Sequence, residues 1–377
     1  MIRSVLTFGL LVTVVFASIQ GFLTLSQDLR CFAKDALLSI TLLTLSWNIA
    51  SWIWIRFSWI PRETIDPSGK AVFITGCDTG FGHNLAKKLA DYGFAVYAGC
   101  LVPSGDGASQ LASHSSGRIQ VVPLDVTKDA DVAEARKTVE ASLHDRELQL
   151  WSVVNNAGIL ASTEIEMGSM GPFTSQLAVN TIGVIRVTKA FLPLLRPSKG
   201  RVINVASLAG RFSIPGMVGY CVSKCAVISF SEGLRREMLK WGIDVVTIEP
   251  HLFNTNLVNN EANHRILKDA WAETPPDVKS AYGEEYFKGY QVFLNKVLGS
   301  ARPRVNHVVE TMAAAVTETF VSPSYYVLND VEQLRVAAYS FVPTRVLDLI
   351  SYYAAIVQTG QPIAKLKKLY DSKKKAV

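Results

Sequence analysis

Tyr220 and Lys224 stand four residues apart in Tyr220-Cys221-Val222-Ser223-Lys224, and Ser207 precedes the tyrosine by thirteen. Residues four apart on a helix share a face. An ammonium there lowers a neighbouring phenol's pKa from its ordinary value near ~10 and brings the phenolate within reach of neutral pH. A serine hydroxyl arriving from a separate strand can hold an alcohol or carbonyl oxygen against that phenol. The three groups together move a proton while an alcohol and a ketone interconvert. The tyrosine–lysine spacing alone recurs by chance in many helices, so the surrounding elements decide its meaning.

Those elements are legible. The apolar run Val72-Phe73-Ile74-Thr75 leads into Gly76-Cys77-Asp78-Thr79-Gly80-Phe81-Gly82, and the helix-patterned Leu85-Ala86-Lys87-Lys88-Leu89 follows. A strand, a glycine turn and a helix N-terminus make the phosphate cradle of a dinucleotide fold, with backbone N–H groups and the helix dipole facing the pyrophosphate. Asp125, ending a strand in Leu124-Asp125-Val126, can present its carboxylate to an adenine ring. Asn155-Asn156-Ala157-Gly158 follows the apolar run Trp151 to Val154, a fourth strand opening onto the cofactor. Asn180 lies within a long helical stretch ahead of Ser207. Strands are predicted near 71–75, 94–99, 119–124, 150–154, 201–206 and 243–248, and helices near 81–92, 129–143, 174–196 and 218–241. This alternation indicates an α/β fold with a doubly wound parallel sheet of Rossmann type. A weak strand at Tyr325–Leu328 is placed to close the sheet edge.

From about Ser68 to about Thr255, half of the chain, these motifs in this order resemble the short-chain dehydrogenase/reductase family. Gly76-Cys77-Asp78, Gly80-Phe81-Gly82, Ala98-Gly99-Cys100-Leu101 and Tyr220-Cys221-Val222-Ser223-Lys224 are most similar to its membrane-associated branch. That branch holds retinol dehydrogenases, type 2 11β- and 17β-hydroxysteroid dehydrogenases and mitochondrial D-β-hydroxybutyrate dehydrogenase. The resemblance implies Tyr220 as general acid/base, Lys224 as the residue that tunes it and holds the nicotinamide ribose, Ser207 as substrate-oxygen anchor, and Asn180 as holder of a relay water. It implies a cofactor site of Thr75, Gly76, Asp78, Gly80, Phe81, Gly82, Asp125, Asn155, Ala157, Gly158, Tyr220, Lys224, Pro250 and Thr255. The plainer readings are strand-end capping for Ser207 and a helix-kink hydrogen bond for Asn180.

Two positions depart from the family pattern. NAD-specific folds often carry an acid at the end of the second strand, but here Cys100 and Leu101 offer neither that acid nor an arginine for NADP. Asp78 in the glycine loop would repel a 2′-phosphate, so NAD is expected over NADP. His251 stands where the family has the glycine of a Pro-Gly pair. If that backbone needs positive φ, histidine costs about 1 kcal/mol or more.

The 377 residues suffice for one such domain with extensions, and the formal net charge is +6. The last thirteen residues, with six lysines and one aspartate, contribute +5 of it, so the charge belongs to a tail and no nucleic-acid-binding surface is expected. The five cysteines show no metal-ligand spacing and no disulfide framework; no metal is expected. Residues 1–60 are read as a membrane anchor of one or two helices, Val5–Leu25 and Ala36–Ile55, each long enough for a ~30 Å hydrocarbon core. Trp52, Trp54 and Trp59 suit its aromatic belt; a cleaved signal peptide is the rival for the first segment. Residues 68–255 form the catalytic domain and 256–330 a helical substrate lid with sheet completion. The lid carries Trp271, Tyr282, Tyr286, Phe287, Tyr290 and Phe293. Residues 331–377 contain an interfacial helix near Val346–Val357 and the basic tail, drawn to an anionic leaflet.

The leading function is therefore a membrane-bound, NAD-dependent oxidoreductase of a small hydrophobic alcohol or ketone, steroid or retinoid in type, in contact with lipid. A homodimer stays open beside a monomer. Mitochondrial oxidation of 3-hydroxybutyrate is the second enzymatic reading; it needs a cation in the pocket, and Arg211 is the basic residue nearest Ser207. A non-catalytic cofactor-binding membrane protein is the third. Lys374-Lys375-Ala376-Val377 resembles a dilysine retrieval signal and points to the endoplasmic reticulum, with the mitochondrial membrane as alternative.

Overall fold

The computed structural model describes residues 13–14, 16–17, 38–47, 49–50, 63–258, 260–328, 332, 336 and 342–350. The chain divides into two units, Met1–Glu63 and Thr64–Val377. Most of the two expected spans, their tryptophan belt and the basic tail lie outside the described residues. Within the first unit, Leu38–Trp47 is a short apolar helix, and Ile40, Leu43, Leu45 and Trp47 on it are exposed.

The second unit is a seven-stranded sheet in the order β3-β2-β1-β4-β5-β6-β7. Its strands are β1 (Lys70–Thr75), β2 (Ala95–Cys100), β3 (Ile119–Pro123), β4 (Gln149–Asn155), β5 (Arg201–Val205), β6 (Asp244–Pro250) and β7 (Ser324–Val327). Every neighbouring pair is parallel. Parallel strands buried on both faces read as continuous apolar runs, and Ala71 to Ile74 and Val202 to Ile203 are fully buried. The expected edge strand is present as β7, paired with β6.

Helices α1 (Gly80–Asp91), α2 (Asp106–Ala112) and α3 (Asp129–Asp145) follow the first three strands. The long helix expected after β4 is interrupted. It consists of α4 (Gly171–Leu177), a π-helical turn Ala178–Gly183 and α5 (Val184–Leu195). Its combined length and apolarity would suit a membrane crossing. Val187, Phe191 and Leu195 are instead buried in the domain core, Phe191 stacked on Phe73 of β1. After β5 come α6 (Val218–Met238), β6, then α7 (Asn260–Glu273), α8 (Pro276–Tyr282), α9 (Glu284–Gly299) and α10 (Val305–Thr317).

The strand order reverses direction between β1 and β4, which leaves a crevice at their carboxyl ends, the usual ligand position in open α/β sheets. The aromatics of residues 256–300 gather there. Trp271, Phe287, Tyr290, Leu294 and Leu298 form one apolar cluster with Leu160, Met217 and Tyr220.

Candidate active site

A cleft of about 390 Å³ opens at this end of the sheet, and Ser207, Tyr220 and Lys224 all line it. Lysine and tyrosine come from α6. Serine comes from the end of β5, where it caps the short 3-10 turn Leu208–Gly210. Ser207 Oγ accepts the Ala209 N–H at 3.2 Å and donates to Pro250 O at 3.4 Å. Capping and cleft exposure coexist in this one hydroxyl.

The electrostatics differ from the sequence-based expectation. Burial pushes the Tyr220 phenol up to about 12, and the hydrogen bond with Ser207 works in the opposite direction. Lys224 does not set the phenol's acidity here. Its Nζ passes the phenol, 5.7 Å from the ring centroid, and donates to Val205 O at 2.8 Å. Burial in turn lowers the lysine to about 8. Sharing a helix face brings the two residues side by side without bringing ammonium to phenol, because the lysine stem extends toward β5.

The glycine loop fits a dinucleotide. Gly76 has φ +69°, and a Cβ there would lie 2.8 Å from Ala157 Cα. A Cβ on Gly82 would lie 2.5 Å from both Asn156 Nδ2 and Gly76 O. Backbone therefore stays low beside the N-terminus of α1, and Thr79, its N-cap residue, makes no side-chain capping bond. Gly76, Asp78, Gly80, Phe81, Asp125, Ala157, Gly158, Pro250 and Thr255 line the cleft as predicted.

Four predicted residues have other placements. Thr75 supports the loop from below, its Oγ1 accepting the N–H groups of Asn156 and Ala157 at 3.0 Å each. Gly82 serves close packing. Asn155 turns into the core, where its Nδ2 donates to Thr188 Oγ1 at 2.9 Å and Asn204 Oδ1 at 2.8 Å. Asn180 is fully buried in the π-helical turn. Its Oδ1 accepts Ile159 N–H at 2.8 Å, and its Nδ2 donates to Ile159 O at 2.9 Å and Ser223 Oγ at 3.0 Å. Its amide matches the helix-kink reading and ties the segment after β4 to α6.

Asn156 was missed. It lines the cleft, and its amide donates to Thr75 O at 2.9 Å and Gly76 O at 3.0 Å, holding the glycine loop. The asparagine doublet at a strand end was the available signal. Asp78 bridges the same loop to the end of β2, accepting the N–H groups of Leu101 at 3.0 Å and Val102 at 2.8 Å. The Thr127 hydroxyl and N–H hold the Asp125 carboxyl below its ordinary range.

His251 lines the cleft without positive φ, so its backbone carries no such strain. Burial, then the neighbouring Arg302, lower its pKa and keep it neutral. Arg211 does not line the cleft. It forms a bidentate ion pair with the fully buried Glu249 at 2.7 and 2.6 Å, and that bond raises the arginine's pKa.

Of the two cysteines one helical turn apart, Cys221 is buried and its Sγ accepts Ile214 N–H at 3.3 Å, whereas Cys225 is exposed. Beside the cleft, α9 is bonded to two segments: Tyr286 donates to Glu164, after β4, at 2.8 Å, and Tyr290 donates to Gly216 O, just before α6, at 3.0 Å. Tyr282, at the end of α8, donates to Glu166 at 2.7 Å.

Comparison with known proteins agrees with this geometry. The chain belongs to the short chain dehydrogenase family, whose sequence model matches residues 70–266. It is thus an NAD(P)-dependent oxidoreductase of CH–OH groups. It is 38% identical over 287 residues to the mitochondrial D-beta-hydroxybutyrate dehydrogenase of Rattus norvegicus, covering 75% of this chain and 84% of that one. With 17-beta-hydroxysteroid dehydrogenase type 6 of Bos taurus it shares 40% identity over 282 residues, 74% and 87% of the two chains. With retinol dehydrogenase 16 of Homo sapiens it shares 38% over 287 residues, 76% and 89%. A short chain dehydrogenase/reductase from Burkholderia phymatum, solved in complex with NAD, has the same fold at TM-score 0.58 and 21% identity, covering 72% of this chain and 93% of that one.

Proposed function

We propose that this protein is a membrane-anchored dehydrogenase that uses NAD to oxidise a hydrophobic secondary alcohol, steroid or retinoid in type. The observation that carries this reading is the lining of the cleft beyond Tyr220. Leu160, Ile214, Met217, Leu257 and Val297 are apolar, and no arginine is among the lining residues. A small hydroxy acid would need a cation for its carboxylate. Arg211 is bound to Glu249, His251 is held neutral, and Lys224 lies against Val205.

Gly76, Gly80 and the N-terminus of α1 would hold the pyrophosphate, Asp125 and Leu101 the adenosine, and Lys224 and Thr255 the nicotinamide riboside. Asp78 brings a carboxylate to the end of β2, which favours NAD over its 2′-phosphorylated form. Bound there, the cofactor supplies hydride exchange with the carbinol carbon. Ser207 and Tyr220 hold the alcohol oxygen, and the alcohol's proton passes to the Tyr220 phenolate. The phenol's position near 12 means that oxidation speeds up as pH rises through the alkaline range. Helices α7–α9 act as the cover of the substrate end.

Incubating the protein with NAD and separate secondary steroids, retinol and D-3-hydroxybutyrate, with NADH absorbance as readout, tests the reading. Turnover of the lipid alcohols supports it. Turnover of hydroxybutyrate alone favours the small-acid reading, which the 38% identity to that enzyme keeps in view. NAD binding without turnover of any of them favours a non-catalytic protein. The paired apolar segments support a membrane location, for which we infer the endoplasmic reticulum with a cytosolic active site. Protease added to intact microsomes should then remove the C-terminus, and protection of the tail until detergent is added would refute that topology.

A further inference from the structure

We propose that Arg211 and Glu249 are positioning residues: their ion pair fixes the turn that carries Ser207 against the end of β6 and against the helix that carries Tyr220. This rests on Ser207 anchoring the substrate oxygen. Ser207 opens the turn and Arg211 closes it, donating its N–H to Leu208 O at 2.8 Å. β5 and β6 run in parallel register with Val205 beside Ile248, which sets Ser207 opposite Pro250. The direct link there, Ser207 Oγ to Pro250 O at 3.4 Å, is at the long limit of a hydrogen bond and holds the turn weakly.

The stronger tie is one residue away. Glu249 is fully buried, accepts both Arg211 bonds, and takes a third from Thr247 Oγ1 at 2.9 Å. Arg211 also comes within 4.0 Å of Glu232 on α6, and its guanidinium lies 5.8 Å from the Tyr326 ring centroid on β7. One side chain thus brackets the serine turn, β6, the tyrosine helix and the edge strand. A two-point guanidinium–carboxylate contact fixes direction as well as distance. Neither residue lines the cleft, so their influence on turnover is indirect, through the Ser207 turn and the elements tied to it.

The test uses the full-length protein in detergent, as wild type, Ser207→Ala, Arg211→Met, Glu249→Gln and the double Arg211→Met/Glu249→Gln. Arg211→Met strands the fully buried Glu249 carboxylate and lowers the Tm most, Glu249→Gln leaves a solvent-accessible arginine and lowers it less, and the double removes both charges and recovers most of the loss. If the pair positions Ser207, kcat of the double stays about ten- to a hundredfold below wild type, the scale of a displaced group, with KM for NAD unchanged. Its kcat–pH profile also moves to higher pH, since the Ser207 bond draws the Tyr220 phenol down. The other titratable groups beside the phenol, Lys224 and Cys221 on α6 and His251 just past β6, are left unsubstituted in every variant.

A double with wild-type kcat and pH profile would overturn the bracket, leaving the pair a stability element. Ser207→Ala with full turnover would overturn the reading of the site and the bracket with it. An inactive Ser207→Ala beside a fully active double overturns the bracket alone. Arg211→Lys keeps the charge and loses the fork. It is expected to lower kcat with little change in Tm, and wild-type kcat in it counts against the bracket even if the double fails to fold.

Discussion

Two cations are buried against β5, one at each end. At the start of the strand, Arg201 is 1% exposed, and its guanidinium donates to Ala315 O and Glu318 O at 2.8 Å each. It lies 4.8 Å from the Trp151 ring centroid, with the Asp244 carboxylate 3.8 Å away. Past the other end, Lys224 is 4% exposed and makes one hydrogen bond, to Val205 O. An ammonium has three donors, so two remain for a ligand. Burial lowers the pKa of both groups, but for Arg201 the Asp244 charge opposes it, whereas for Lys224 desolvation stands alone. Two carbonyls, an aromatic face and a nearby carboxylate hold the Arg201 guanidinium as a brace, although its Nε is buried without a partner; an ammonium with one bond at a cleft makes a binding group.

The largest effect should come from breaking that contrast at the cleft. Lys224→Met is expected to weaken NAD binding in a fluorescence titration and to lower turnover by about a hundredfold, the scale of a misplaced reactant. Arg201→Met should leave kcat per folded molecule unchanged. An Arg201→Met protein that folds normally and loses turnover would erase the distinction.

Stability should show the reverse. Arg201→Met leaves two helix-end carbonyls without their donor, at a cost of about 1–3 kcal/mol each in denaturant unfolding, while the half-exposed Asp244 is resolvated. Lys224→Met should instead stabilise the cofactor-free protein. The folded lysine near 8 lies below its ordinary 10.5, so between those values the unfolded chain binds the proton more tightly and stability rises with pH. Below pH 8 the full cost is present, about 3 kcal/mol by conversion of that shift, and the variant's advantage should shrink toward zero as pH approaches 10.5. Unfolding curves at pH 7 and pH 10 that keep the same gap would contradict this.

The smallest change sharpens the brace. Trp151 faces the Arg201 guanidinium and donates its Nε1–H to Val316 O at 2.8 Å. Trp151→Phe keeps an aromatic face and loses that bond, so about 1 kcal/mol of destabilisation is expected in the same unfolding assay.

The contrast explains what the sequence could disclose. Tyr220, Lys224 and Ser207 were readable because helix spacing and a strand end fix their placement. The direction of the lysine was not, since Val205 O is contributed by another strand. Asn155 and Asn156 were confused for a related reason. Successive residues of a strand face opposite sides, and an asparagine doublet does not reveal which one faces the core. Arg211 was placed in the pocket by chain proximity to Ser207, but the 3-10 turn swings it toward Glu249. Helix α2 went unpredicted because Pro103-Ser104-Gly105-Asp106-Gly107 has a loop's composition. The strands were legible because parallel, doubly covered strands are written as apolar runs.

The bonds from Tyr286 to Glu164 and from Tyr282 to Glu166 set a timescale as well as a shape. A hydrogen bond to a charged group contributes about 1.5–3 kcal/mol, which is roughly ten- to a hundredfold in an opening equilibrium. Tyr286 and Glu164 are partly buried, so water replaces their bond slowly and incompletely. If helices α7–α9 are the cover proposed above, a lipid alcohol of the proposed kind would enter, and its ketone leave, through such openings. On the proposed reading, opening of the cover gates entry and release on either side of the chemistry at Tyr220, as closing lids do in many enzymes.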